Sequence, residues 1–90
     1  MKFVQQLKNA ADLPDEPTPG QPLIEISGRS RVLIEHHGGV VGYTRELIGI
    51  RVKYGKVLIS GQDLTLTRMS KEQLIVSGTI EFVRLIKGVG

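Results

Sequence analysis

The sequence predicts an all-β fold: a small antiparallel β-sandwich or meander of seven to eight short strands, preceded by a short N-terminal helix. Three observations carry this. From Leu23 onward apolar and polar residues alternate with a period of two, the mark of half-buried strands. Turn signals recur at short intervals, at Tyr54-Gly55-Lys56, Ser60-Gly61-Gln62-Asp63, Ser70-Lys71-Glu72 and Ser77-Gly78. All four prolines fall between positions 14 and 22, so nothing after Pro22 interrupts a sheet.

The chain has 90 residues, 40 % of them apolar, which suits one small domain. Residues 1–12 open it with Phe3, Leu7 and Ala11 at intervals of four and Val4 beside them, the spacing of a short amphipathic helix. About ten residues cannot hold a helix in water by propensity alone, so the apolar side of this segment needs a surface to dock on. Residues 13–22 carry Pro14, Pro17, Pro19 and Pro22 and read as a linker, because proline fixes φ and removes a backbone donor. Residues 23–90 read as a single antiparallel β domain.

Within that domain the inward phase takes Ile24, Ile26, Val32, Ile34, Ile48, Ile50, Val52, Tyr54, Val57, Ile59, Leu64, Leu66, Leu74, Val76, Ile80 and Phe82. Ile26-Ser27-Gly28, Ile59-Ser60-Gly61 and Val76-Ser77-Gly78 echo one another. Each is expected to end a strand at a corner, where glycine supplies the backbone freedom. The outward phase is not uniformly polar. Leu33, Leu58, Ile75, Val83 and Leu85 fall on it, a candidate interaction surface that the N-terminal helix, a second subunit or a protein partner would cover.

Charge and composition narrow the function classes. The net charge of +3 divides into −1 over residues 1–22 and +4 over residues 23–90. Arg29, Arg31, Arg45, Arg51, Lys53 and Lys56 form a candidate basic face for a polyanion or glycan. Only four aromatic residues are present, too thin a stacking platform for single-stranded nucleic acid. Cysteine is absent, which removes disulfides, thiolate metal sites and a cysteine nucleophile. The sequence has neither an apolar run long enough to span a membrane nor a secretory signal, so a cytoplasmic protein is expected.

The only stretch with catalytic residue types is Glu35-His36-His37-Gly38-Gly39. Adjacent strand residues point to opposite faces and no third histidine exists, so a zinc site or metal-dependent enzyme at His36 and His37 is the weaker reading. A strand end whose imidazoles cap a turn is the stronger one. The glycines here lack the spacing of a phosphate-binding loop, and no cofactor is expected.

Taken together, residues 22–28, Arg31-Val-Leu-Ile-Glu-His-His-Gly-Gly-Val40, Tyr43-Thr44, residues 55–61, Leu64-Thr-Leu-Thr-Arg-Met69 and residues 74–80 resemble the YabP/YqfC family of sporulation proteins, with the YqfC-like branch nearest. Leu13-Pro14 matches the step that precedes the sheet in that branch. Glu35, His37 and Gly39 match the family's turn, whereas His36 and Gly38 replace its usual Asn and basic residue. The resemblance implies an all-β, non-enzymatic protein of endospore-forming bacteria. It would be made in the mother cell, with a sporulation membrane protein as companion and a place at or near a membrane.

Overall fold

The computed structural model describes residues 20–88, and the expected N-terminal helix and most of the linker lie outside them. Six strands form one antiparallel sheet: β1 (Leu23–Ser27), β2 (Arg31–Glu35), β3 (Val40–Tyr43), β4 (Leu47–Val52), β5 (Gly55–Met69) and β6 (Gln73–Lys87). Their order across the sheet is β1-β2-β6-β5-β4-β3.

The count is six instead of seven to eight because β5 and β6 each run for 15 residues through positions that read as turns. Gly61 and Gly78 do not end strands; they bend them. A Cβ at Gly61 would overlap the carbonyl oxygen of Thr79, and one at Gly78, where φ is +139°, would lie 2.6 Å from the carbonyl oxygen of Asp63. The two long strands therefore pass each other at a corner that only glycine fits. Gly28 alone of the three echoing glycines sits in a hairpin turn, between β1 and β2, with φ +56°.

The corner folds the sheet into two layers. One holds β1, β2, residues 73–77 of β6 and residues 65–69 of β5; the other holds β3, β4, residues 55–60 of β5 and residues 80–87 of β6. Hairpin turns brace the corner from both sides by the same device. The Gly78 and Ile80 N–H groups donate to Ser30 and Arg29 carbonyls, while those of Gly61 and Leu64 donate to Glu46 and Arg45 carbonyls. The echoing Ser60-Gly61 and Ser77-Gly78 pairs thus fall at the two long strands of one corner.

Facing side chains of the two layers make one core of Val32, Ile34, Ile48, Ile50, Val57, Ile59, Leu64, Leu74, Val76 and Ile80. Ile24, Val52 and Leu66, expected inside, are partly buried against it. Ile26, Tyr54 and Phe82 depart from expectation, at 53 %, 64 % and 45 % exposed, Tyr54 because it sits in the turn between β4 and β5. Ile26 lies on the edge strand β1, where the inner face opens to solvent. Phe82 is turned outward by a bulge: Gly61 pairs with Ile80 and Ser60 with Phe82, so Glu81 is an extra residue. Every side chain after it changes face.

Two substitutions check this architecture. Ile50 is fully buried, so Ile50→Asp strands a carboxylate in the core at a cost of several kcal/mol and abolishes the cooperative unfolding transition, whereas Lys71→Asp, at the exposed β5–β6 turn, keeps the melting temperature within a few degrees. Gly61→Ala forces β5 and β6 apart at the corner and lowers stability by about 2 kcal/mol or more, read as an earlier urea midpoint.

Candidate functional site

The Glu35-to-Gly39 segment is the connection between β2 and β3, and its polar groups fasten it down. The Glu35 Oε2 accepts a 2.8 Å hydrogen bond from Gln73 Nε2, and the His36 N–H donates to the Glu72 carbonyl at 2.8 Å. His37 bridges two directions: its Nε2 donates to the Ser70 carbonyl oxygen at 2.8 Å, and its Nδ1 accepts the Gly39 N–H at 3.1 Å. The Nδ1 acceptance fixes the tautomer with the proton on Nε2. Gly39, at φ +115°, takes a conformation open to glycine and passes its carbonyl to the Arg51 N–H.

The three residues that match the family turn therefore each make a contact holding the connection. His36 is exposed, with φ +62° and no side-chain bond to this network. Among the described residues no group of three or more His, Asp or Glu is placed to hold a metal ion.

The expected basic face is dispersed. Arg29 lies in the β1–β2 turn, Arg31 on the outer side of β2 opposite Ser77, and Arg45 in the β3–β4 turn. Arg51 and Lys56 stand directly opposite one another on the outer side of β4 and β5. Lys53, in the turn between those strands, lies with its Nζ 5.2 Å from the Tyr54 ring centre. The six divide into two groups: Arg29 and Arg45 lie in the turns that brace the corner, with Arg31 at the start of β2, and Arg51, Lys53 and Lys56 gather at the β4–β5 hairpin end.

The expected apolar surface also divides. Leu33 and Ile75 pair on the outer side of the first layer, where Ile75 is only 7 % exposed. Leu58 lies on the outer side of the second layer. Val83 and Leu85 belong to the inner face, opposite Ile59 and Val57, because the Glu81 bulge shifts the phase.

In their place the outer side of the second layer carries residues that alternation alone did not assign. Gly49 forms the floor of a shallow hollow: a Cβ there would sit 3.2 Å from Val41 and 3.4 Å from Leu58. Val41, Tyr43, Leu47 and Leu58 line this hollow of about 190 Å³, with Lys56 at its rim. Val41 and Leu47 are each more than 40 % exposed. Phe82, with the Arg84 guanidinium 5.3 Å from its ring centre, adjoins Leu47 through Ser60 in the ladder. The sequence marked this hollow only by a glycine in mid-strand, at Gly49.

The model of the YabP family matches residues 19–88 of the chain. The chain is also similar to an uncharacterized protein YqfC of Bacillus subtilis (strain 168), with 27 % identity over 81 residues, covering 90 % of this chain and 87 % of that one. No solved structure matches.

The two histidines are separable by experiment. His37→Ala removes two hydrogen bonds across the β2–β3 connection and is expected to cost about 1–2 kcal/mol in urea unfolding. His36→Gly relieves a left-handed backbone and is expected to leave stability unchanged or raise it by up to about 1 kcal/mol.

Proposed function

Because the chain belongs to the YabP family, whose model spans residues 19–88, we propose that it is a non-enzymatic structural or adaptor protein of endospore formation, working through a protein partner in the mother cell. The observation that carries the reading is the outer side of the second layer. Val41, Leu47, Leu58 and Phe82 present apolar surface there, with Arg51 and Lys56 at one end of it and Arg84 beside Leu58. Apolar surface bordered by cations has the make-up of a protein interface, with a buried centre and a polar rim.

The partner chemistry that fits is an apolar segment flanked by acidic residues. It fills the Gly49 hollow with one side chain and meets the cations at the rim. A sporulation membrane protein exposing such a segment at the mother-cell face of a membrane would bring this chain to that surface. The chain itself contributes no spanning helix among its described residues.

A second reading, binding of a polyanion or glycan, is favoured by the Arg51–Lys56 pair, since two cations directly opposite on an exposed sheet repel unless an anion joins them. Salt separates the two. Polyanion binding weakens steeply with ionic strength, whereas docking on apolar surface persists.

In the organism that carries the gene, Leu58→Glu at the native locus is expected to give a folded protein, melting within a few degrees of the original, and a loss of heat-resistant spores comparable to deletion. Normal spore yield from Leu58→Glu would overturn the assignment of this face. Loss with Arg51→Glu but not with Leu58→Glu would favour the polyanion reading.

A further inference from the structure

The two layers meet along two seams. At the first, the Tyr43 hydroxyl of β3 accepts the Leu66 N–H of β5 at 3.1 Å. At the second, β1 and residues 80–87 of β6 share no ladder among the described residues. Only the corner end of this second seam is tied there, where the Gly78 and Ile80 N–H groups donate to Ser30 and Arg29. Beyond Ile80, β6 presents an open edge that runs to the end of the strand at Lys87.

The backbone groups of that edge are specified by the ladder on its other side. The Gly88 N–H donates to the Tyr54 carbonyl and the Ile86 carbonyl faces Gly55, so residues 86 and 88 address β5. By alternation the N–H and C=O groups of Val83, Leu85 and Lys87 address the open side. Their side chains follow the core phase. Val83 stands opposite fully buried Ile59 and Leu85 opposite fully buried Val57, yet Leu85 is 69 % exposed. Edges of this kind are commonly blunted by proline or a bulge, and residues 82–88 carry neither.

We propose that residues 82–88 of β6 pair antiparallel with the same residues of a second copy of the chain, centred on Leu85, so that two second layers join into one continuous sheet across a twofold axis. Self-complementarity selects this occupant and this register. Centred on Leu85, each edge-facing residue meets an edge-facing residue: Leu85 meets Leu85, and Val83 meets Lys87. Arg84 then lies opposite Ile86, so no two like charges are directly opposed. Centring on Arg84 sets two guanidinium groups against each other. Centring on Val83 drives the copy into the corner, where Arg29 already holds the Ile80 N–H. Centring on Ile86 leaves Val83 unpaired. The favoured register begins just past the corner, and it brings together the two most exposed leucines of the edge.

This contact goes beyond the partner-docking reading and does not depend on it. Edge pairing runs in the plane of the sheet, so the outer side of the layer, with Leu58 and the Gly49 hollow, stays uncovered. A dimer built this way presents two such faces on one side.

The absence of cysteine permits a direct test in the full chain. Directly opposed residues of a hydrogen-bonded antiparallel pair have Cα atoms about 5.5 Å apart, within reach of a disulfide. Leu85→Cys is therefore expected to give a disulfide-linked dimer on mild oxidation. Val83→Cys and Lys87→Cys should each stay uncrosslinked alone, because their own copies lie about 13 Å apart along the ladder, and should crosslink when the two variants are mixed. Sedimentation of the wild type is expected to show a dimer, and Leu85→Lys, at an exposed side chain, should give a monomer with an unchanged β-sheet signal. A wild-type monomer at every concentration, or equal crosslinking of Val83→Cys alone, would overturn the proposal. A dimer that survives Leu85→Lys but is lost with Leu58→Glu would place self-association on the outer face and overturn it as well.

Discussion

Residues 36–39 are all the chain that joins β2 to β3, although these strands lie four positions apart in the sheet. Four strand spacings in a flat sheet measure about 19 Å, and five fully extended residue steps reach only about 17 Å. His36 is still hydrogen-bonded beside β6 and Gly38 is already hydrogen-bonded beside β4, so the crossing is made in two residues. A flat sheet cannot satisfy that, and the sheet must fold over. The glycine corner, the merging of both layers into one core and the placement of His37 as a fastener all answer to this short link.

Folding a single sheet over leaves two pairs of edges to be dealt with, and the chain treats them unequally. The edge between β3 and the end of β5 is tied by the Tyr43 hydroxyl. The edge between β1 and the end of β6 is braced only at the corner, where Arg29 and Ser30 accept from Ile80 and Gly78. Farther from the corner, among the described residues, the layers are held there by side-chain burial, and Ile26 and Leu85 mark where that burial runs out. The open seam and the apolar-basic outer face lie on the two sides of one layer.

The Glu35-His36-His37 stretch illustrates how residue types associated with chemistry can serve architecture. A neutral imidazole offers one donor and one acceptor about 2 Å apart on a rigid ring, which suits a bridge between the Ser70 carbonyl and the Gly39 N–H. Glu35 and Gly39, the other residues matched to the family turn, brace the same connection from its two ends. The match to the YabP family over residues 19–88 begins and ends with the folded sheet, and the turn residues that resemble the family are those that close it.

Alternation in the sequence by itself determined that residues 23–87 form antiparallel β structure, and it placed Val32, Ile34, Ile50, Ile59, Val76 and Ile80 in the core, because a period of two is a local property of a pleated strand. The five-residue strands β1 and β2 and their turn at Gly28 were legible for the same reason. Only the tertiary structure decided that Gly61 and Gly78 bend strands instead of ending them, since the carbonyls that exclude a side chain there, of Thr79 and Asp63, come from the opposite strand. It also decided that one extra residue at Glu81 turns Phe82 outward and Val83 and Leu85 inward. A bulge has no local signature at Glu81: it exists because the two long strands must keep their ladder while passing a bend, and that geometric demand arises only once distant segments have met.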